Sequence, residues 1–272
     1  MAGEAHPRAL GTWTAAGGVR VHARLLRPAG RSAGPVVMVH GLGVSAGSLG
    51  PLAEELARDH VVLVCDLPGF GRTDSDAIWS TGAAADVLEE VLALRGMGRV
   101  TLVGHSWGCH VATVLAARHP GRVRALVLLS PAFDGRGGAA GQVVRLAVDS
   151  PMERPSLVAG GARDYLRAGL PRVLATLREA SALPLDELVV AVRAPVLVVR
   201  GSRDPLTTGR WARRIAVRAR RARIVVIPRA AHGLGHDAPR AAAGAIRAFL
   251  AGEGHRPRMA APGGRRPAGD GA

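Results

Sequence analysis

The sequence predicts an α/β fold in which a mostly parallel, doubly wound sheet of eight strands carries a small helical insertion. Short runs of Val, Ile and Leu alternate with Ala/Leu/Arg segments of helical spacing, which is the pattern of βαβ units. Hydrophobic residues make up 48% of the 272 positions but aromatic residues only 3%. Such a composition is typical of parallel strands buried on both faces. The length favours one large domain rather than two independent cores.

The first two strands are predicted to form an antiparallel hairpin at the sheet edge, because Thr12–Thr14 and Val19–Leu26 flank an Ala-Ala-Gly-Gly turn. Buried parallel strands are then predicted at Pro35–His40, His60–Asp66, Arg99–Gly104, Val123–Ser130, Ala194–Gly201 and Ala222–Pro228. Helices are predicted near Ser48–Arg58, Thr81–Leu94, Trp107–Arg118, Gly209–Ala219 and Pro239–Leu250.

The regular alternation stops between Asp134 and Arg193, where glycines and prolines separate short helical segments and no strand pattern is visible. This interruption predicts a helical cap or lid over residues 135–190. The core would then comprise residues 1–134 and 191–252. Residues 253–272 are rich in Pro, Gly and Arg, which predicts a disordered tail.

The charge of the chain is strongly positive, at +15, and all 36 basic residues are arginine. The densest arginine cluster spans residues 210–223. Its spacing is that of the solvated face of a helix and of the residues that follow the helix, so we expect no specific nucleic-acid partner. The sequence shows neither the apolar core of a secretory signal nor an apolar run of about 18 residues. A cytoplasmic protein without a membrane span is therefore the expectation. The sequence does not predict an oligomeric state.

The two cysteines, Cys65 and Cys109, both lie in apolar segments. Their number and spacing match neither a disulfide framework nor a metal site. We therefore expect both to be small buried side chains, and we expect no metal.

The motif Gly104-His105-Ser106-Trp107-Gly108 carries the strongest chemical signal, because it follows the strand Val100–Val103 and precedes a helix. A turn this tight strains the serine backbone and leaves no room for a Cβ at the flanking glycines. It would hold the Ser106 hydroxyl above the sheet, where the helix N-terminus favours a developing oxyanion. Ser106 is therefore the predicted nucleophile. His105 and His110 are expected to pack rather than react.

Three further landmarks accompany this motif, and the third of them is a pair of segments. The loop His40-Gly41-Leu42-Gly43 follows one predicted strand, and Asp66-Leu67-Pro68-Gly69-Phe70-Gly71-Arg72-Thr73 follows the next. Gly201-Ser202-Arg203-Asp204-Pro205 and Ala231-His232-Gly233 follow two later strands. With these landmarks, roughly residues 10–252 resemble the α/β-hydrolase fold family, in its serine hydrolase form with a small cap.

The resemblance implies a catalytic triad of Ser106, Asp204 and His232, in the family's order of serine, acid and histidine. It also implies an oxyanion hole made by the backbone N–H groups of Leu42 and Trp107. All three triad residues follow the carboxyl ends of strands, where the active sites of open α/β sheets lie.

Some assignments leave alternatives. His236 is a rival to His232 as the base, and Asp134 is a rival to Asp204 as the acid. His40 precedes the serine and lies on the first loop, so we interpret it as a residue that braces the loop. The glycines after Asp66 match neither a phosphate-binding loop nor a dinucleotide fingerprint, which indicates a structural turn.

The predicted reaction is acyl transfer to water through an acyl-enzyme on Ser106, without a cofactor. A small carboxylic ester is the favoured substrate, followed by lactones, thioesters and amides. A serine in the elbow argues against dehalogenase and epoxide hydrolase chemistry, which need aspartate there. Gly233, where carbon–carbon bond hydrolases of the family usually carry tryptophan, argues against that activity. An acyltransferase of the same fold and a triad-bearing receptor with little turnover remain the alternatives.

The cap is expected to set substrate preference through apolar side chains. Phe133, Leu146 and Leu166 are the predicted pocket residues, with Trp107 and further cap positions beside them. The same side chains could instead serve only to pack the cap onto the core. The other cap candidates are Val148, Leu157, Val158 and Leu170.

Overall fold

The computed structural model describes residues 9–135 and 138–254. Its sheet has eight strands in the order β1-β2-β4-β3-β5-β6-β7-β8, antiparallel at β1–β2 and β2–β4 and parallel elsewhere. The predicted fold class is therefore confirmed. The strands are β1 Leu10–Ala16, β2 Val19–Leu26, β3 Pro35–Val39, β4 Val61–Cys65, β5 Val100–His105, β6 Val123–Leu129, β7 Val196–Gly201 and β8 Ala222–Ile227.

Ten α-helices are present in the described part of the chain. They are α1 Gly50–Leu56, α2 Thr81–Leu94, α3 Gly108–Arg118, α4 Gly138–Asp149, α5 Pro155–Ala168, α6 Leu170–Ala182, α7 Leu185–Leu188, α8 Gly209–Arg218, α9 Leu234–Asp237 and α10 Pro239–Gly254. Helices α4 to α7 all lie between β6 and β7, in the segment where the strand pattern of the sequence is interrupted. The last helix includes residues 253 and 254 of the predicted tail, and residues 255–272 lie outside the described residues.

The sheet is covered on both faces because successive side chains of a strand point to opposite sides. Val37 and Val39 of β3 join the core cluster that contains the buried faces of α2 and α3. Val36 and Met38 join a second cluster with α1 and α10. This two-sided burial explains why the central strands are continuous apolar runs.

β8 departs from the prediction of a strand buried on both faces. Among the strands of the described residues it is the last in the sheet and pairs only with β7, and Ile224 and Val226 are 36% and 45% exposed. Its apolar run resembles those of the central strands, so composition alone could not distinguish an edge from the interior.

The arginine-rich segment forms one face of α8 and the residues after it, as the sequence predicts. Arg214 and Arg218 donate to Asp186 on α7, the former at 2.8 Å. Trp211 lies on the opposite face, buried, with its Nε1 donating to the Pro131 carbonyl at 3.1 Å. The helix therefore packs its apolar face on the core and leaves most of its guanidinium groups in solvent.

Both cysteines are buried free thiols, as predicted. Burial raises the pKa of Cys65 to about 12 and that of Cys109 well above its usual value, so neither thiol is reactive near neutral pH. None of the helices within the described residues has both the length and the apolar character needed to cross a lipid bilayer.

Candidate active site

The turn after β5 has the strained geometry of a nucleophile elbow. Ser106 has φ of 54°, in the left-handed region that non-glycine residues rarely adopt. A Cβ on Gly104 would lie 2.3 Å from the carbonyl oxygen of Gly108, and one on Gly108 would lie 2.5 Å from that of His40. Both glycines are therefore required by close backbone contact. The turn leads directly into α3, whose N-terminus begins beside the serine.

The candidate base and acid approach this turn from the ends of two other strands. His232 follows β8 and Asp204 follows β7, and Nδ1 of His232 lies 3.1 Å from Oδ2 of Asp204. The other carboxylate oxygen, Oδ1, accepts hydrogen bonds from the backbone N–H groups of Leu206 and Thr207, both at 2.9 Å. These contacts fix the carboxylate, which in turn orients the imidazole so that Nδ1–H donates and Nε2 is left to accept a proton.

The contact between His232 and Asp204 shifts the pKa of both side chains. Burial alone would lower the pKa of His232, but the Asp204 carboxylate outweighs it and holds that pKa above its ordinary value. Burial alone would raise the pKa of Asp204, but His232 and the hydrogen bonds from Thr207 hold it well below the usual range. Asp204 is therefore ionised throughout the neutral range and stabilises the imidazolium form of His232.

Ser106 and His232 both line one cavity of about 550 Å³, and Asp204 lies behind the imidazole. The His40–Gly43 loop forms the wall next to the serine. A Cβ on Gly41 would lie 3.1 Å from the Cβ of Ser106, and Leu42 also borders the cavity. The loop therefore lies directly against the serine at the wall of the cavity.

The side chain of His40 makes hydrogen bonds that hold this loop in place. Its Nδ1 donates to the Gly41 carbonyl at 2.8 Å, and its Nε2 accepts from the backbone N–H of Leu67 at 3.0 Å. Burial lowers the pKa of His40, which keeps the ring neutral and preserves both bonds. This arrangement agrees with the interpretation of His40 as a bracing residue.

The turn after β4 is held by one carboxylate. Asp66 accepts from the backbone N–H of Ala46 at 2.7 Å and from that of Arg72 at 3.1 Å, and it contacts His22 Nδ1 at 2.7 Å. A Cβ on Gly71 would lie 2.2 Å from Asp66 Oδ1. Gly71 therefore leaves room for the hydrogen-bond network of Asp66.

The rival acid and base have other partners. Asp134 accepts from Arg145 Nη1 at 2.7 Å. His236 Nδ1 lies 2.9 Å from Oδ1 of its neighbour Asp237. It is Asp204 that contacts the imidazole of His232.

The two histidines beside the serine are buried and neutral. Nε2 of His105 donates to the His232 carbonyl at 3.1 Å, and Nε2 of His110 donates to the Leu183 carbonyl at 3.2 Å. Burial lowers the pKa of each ring to about 4. His110 packs against Phe133, as expected, whereas His105 also borders the cavity.

Two carboxyl groups that the sequence did not indicate contact the loop of the candidate base. Asp149, the last residue of α4, accepts from the backbone N–H of His232 at 3.1 Å. Glu153 accepts from the next amide, Gly233, at 2.6 Å. These partners are 83 and 80 residues apart in sequence, and no motif marks either acid. Both acids also border the cavity.

The proton distribution in this carboxyl cluster is uneven. Burial, together with contacts to Asp237 and Asp149, raises the pKa of Glu153 to about 10, so this side chain is protonated at neutral pH. Burial would raise the pKa of Asp237, but its contacts with Glu153, with His236 and with the backbone N–H of Arg154 hold the pKa below the ordinary value. Glu153 is therefore a neutral carboxyl group beside Asp149 and Asp237, and burial raises the pKa of Asp149 as well.

The cavity walls are mostly aliphatic and come largely from α4, α5 and α6. Phe133 and Leu146 border the cavity, as predicted from the sequence. The further lining residues from the helices between β6 and β7 include Val143, Leu157, Val158, Leu170, Val173 and Leu177.

Other predicted pocket residues lie elsewhere. The prediction for Leu166 was wrong, because its side chain is 86% exposed and the neighbouring Tyr165 faces the cavity instead. Adjacent positions on a helix point about 100° apart, so a small error in the helical phase exchanges one for the other. Val148 is also exposed, at 57%. Trp107 is buried away from the cavity, with Nε1 donating to Thr81 Oγ1 at 3.1 Å.

Within residues 9–135 and 138–254, no group of three or more His, Cys, Asp or Glu side chains is arranged to hold a metal ion.

The comparisons with known proteins agree with this geometry. The family model described as "Alpha/beta hydrolase family" matches residues 36–245, which include the elbow, the His40 loop and both later landmarks. The chain belongs to the alpha/beta hydrolase family. Within this family, the chain is similar to a pimeloyl-[acyl-carrier protein] methyl ester esterase of Chromobacterium violaceum. That protein is 31% identical over 208 residues, which cover 65% of this chain and 79% of the relative.

Solved alpha/beta hydrolase structures share the fold over nearly the whole chain. A malate-bound esterase from Thermogutta terrifontis superposes with a TM-score of 0.74 at 23% identity, covering 90% of this chain and 99% of that one. The enol-lactonase from Burkholderia xenovorans LB400 gives a TM-score of 0.75 at 20% identity, covering 88% and 100%. The alpha/beta hydrolase relatives therefore include esterases, which supports a hydrolase.

Proposed function

We propose that this alpha/beta hydrolase is a serine esterase that cleaves a carboxylic ester through an acyl-enzyme on Ser106. The observation that carries the proposal is the 3.1 Å contact between His232 Nδ1 and Asp204 Oδ2, in a base that borders the same cavity as the strained Ser106. Acyl transfer by a serine requires a fixed carboxylate, an oriented imidazole and a hydroxyl held in a strained turn.

In the proposed reaction, Nε2 of His232 takes the Ser106 hydroxyl proton as the oxygen attacks the ester carbonyl. The resulting oxyanion would accept hydrogen bonds from the backbone N–H groups of Leu42 and Trp107, each contributing about 3 kcal/mol of transition-state stabilisation. The imidazolium, stabilised by Asp204, then protonates the departing alcohol. Water repeats the sequence on the acyl-enzyme and releases the acid.

An ester is favoured over other acyl substrates because the relative at 31% identity is a methyl ester esterase. A lactone is the second candidate substrate, since the enol-lactonase shares the fold over 88% of this chain. No added cofactor is needed for either reaction, because every proton and bond is accounted for by the serine, the histidine and water.

The experiment that tests the proposal is hydrolysis of a panel of esters and lactones by the wild type and by Ser106→Ala. We expect turnover by the wild type and a loss of about 10⁴-fold or more in kcat for the variant. Added alcohols separate an esterase from an acyltransferase, because only the latter would convert most of the substrate into a new ester. Ligand-induced stabilisation without turnover of any substrate would indicate a receptor and contradict the proposal.

A further inference from the structure

The cavity beside Ser106 has an unusual electrostatic character for this chain. The protein carries 36 arginines and no lysine, yet none of the described residues that border the cavity is an arginine. The walls contributed by α4, α5 and α6 are mainly aliphatic, with Val143, Leu146 and Leu157 among them. A charged group placed against such walls would lose its hydration without gaining an ion-pair partner.

The polar groups near the candidate base also disfavour an anionic substrate. Asp149 and Glu153 border the cavity, and Asp204 lies directly behind the imidazole of His232. His105 is the second histidine in the wall, and burial keeps it neutral by lowering its pKa to about 4. His232 itself must be neutral to accept the serine proton. Among the described residues, the working site therefore presents carboxyl groups and no cation.

Two of the arginines that lie next to lining residues in the sequence have other partners. Arg145 of α4 donates to Asp134 at 2.7 Å, and Arg172 of α6 donates to the carbonyls of Gly69 and Ser75. Neither guanidinium borders the cavity. An anionic substrate would thus have to bring its charge next to Asp149 with no compensating group in the described walls.

We infer that the substrate of this site is an uncharged ester whose main part is aliphatic, and that esters carrying a carboxylate are excluded. The inference rests on the proposed esterase function and narrows it. The physical reason is electrostatic. The aliphatic walls would hold an uncharged substrate, but they offer the carboxylate of an ionised substrate no ion-pair partner.

The test compares substrates matched in length and shape. Dimethyl octanedioate and monomethyl octanedioate differ only in the far end, which is a neutral ester in one and a carboxylate in the other, and methyl octanoate provides an apolar reference. At a pH where His232 is neutral, we expect kcat/KM for the diester to exceed that for the monoester by about 100-fold or more. A monoester cleaved within about tenfold of the diester would overturn the inference.

Two variants that each add one positive charge to α4, one inside the cavity and one outside it, form a matched pair. Val143 and Val144 are adjacent on α4 and are 52% and 63% exposed, but only Val143 borders the cavity. Val143→Arg should raise kcat/KM for the monoester by about tenfold relative to kcat/KM for the diester, which itself falls because an aliphatic part of the wall is lost. Val144→Arg adds the same charge outside the cavity and should change neither. Equal effects of the two variants would contradict the inference.

Binding to Ser106→Ala separates this inference from the proposed function. If the wild type cleaves none of the esters, the esterase proposal fails, while calorimetry with the variant still measures which ester the cavity accepts. Tighter binding of the diester than of the monoester by about tenfold or more supports an uncharged ligand. Equal or tighter binding of the monoester overturns it.

Discussion

The carboxylate of Asp149 accepts a hydrogen bond from the backbone N–H of His232 at 3.1 Å. Asp149 is the last residue of α4 and is 2% exposed, and His232 also contacts Asp204 through its ring. Two carboxylates therefore act on one histidine, one through the imidazole and one through the main chain. The insertion between β6 and β7 is thereby hydrogen-bonded to the loop of the candidate base.

The Asp149→Asn variant tests the electrostatic part of this contact. The negative charge of Asp149 contributes to the raised pKa of His232, and asparagine keeps an acceptor oxygen while removing the charge. The base must be neutral to act, so kcat/KM rises with pH through the pKa of His232. We expect the acidic limb of the profile, measured between about pH 5 and 9, to move to lower pH in the variant.

The control for this variant is Asp134→Asn. It removes a carboxylate that is paired with Arg145, which belongs to α4 as Asp149 does. It should leave the acidic limb unchanged. An unchanged limb in Asp149→Asn, or a shift to higher pH, would contradict the electrostatic role of Asp149.

The Glu153→Gln variant tests the protonated carboxyl. The pKa of Glu153 is raised from 4.5 to about 10 in the folded protein, mainly by burial. Above pH 4.5 the unfolded chain releases this proton while the folded chain keeps it, so the stability contributed by Glu153 falls as pH rises towards 10. Glutamine stays neutral at every pH, and the melting temperature of Glu153→Gln relative to the wild type should therefore increase from about pH 5 to about pH 9.

Glu187→Gln is the matched control, because Glu187 is exposed on α7. Its melting temperature relative to the wild type should show no such trend. The account of Glu153 as a buried neutral acid is wrong if the two variants behave alike.

The choice of acid is tested by comparing Asp204→Asn with Asp134→Asn. Asp204 contacts the imidazole and Asp134 does not, so the first change removes the group that fixes the tautomer of His232. We expect a loss of about 10³- to 10⁴-fold in kcat for Asp204→Asn and less than about threefold for Asp134→Asn. The reverse order in steady-state kinetics would assign the acid to Asp134.

The geometry of the elbow is tested by Gly108→Ala. The new Cβ would lie 2.5 Å from the carbonyl oxygens of Val39 and His40, which are backbone atoms of a central strand and its loop. We expect the free energy of unfolding to fall by about 3 kcal/mol in urea denaturation. Gly121→Ala adds a methyl group where nothing lies within 4 Å and should change it by less than about 0.5 kcal/mol. Similar values for the two variants would show that the turn relaxes.

The positions of Ser106, Asp204 and His232 could be predicted because each follows a strand in a recognisable local pattern. Parallel strands bring their carboxyl ends to one edge of the sheet, so local patterns were sufficient to indicate a shared site. The closeness of Asp204 to His232 follows from strands β7 and β8 being neighbours.

Other features depend on packing that no local pattern records. The exposure of β8 depends on which strand ends the sheet, and the orientation of Leu166 depends on the rotation of α5 about its axis. Asp149 and Glu153 contact residues that are 83 and 80 positions away in the sequence. The sequence around the two acids is that of an ordinary polar helix end, so it does not mark these contacts.

The most direct test of the central claim is active-site labelling with a fluorophosphonate, followed by mapping of the modified residue by peptide mass spectrometry. A serine activated by His232 should react with the reagent, whereas an ordinary serine should not. The account predicts a single adduct on Ser106 in the wild type and none in Ser106→Ala. Labelling that persists in Ser106→Ala, or an adduct on another residue in the wild type, would contradict it.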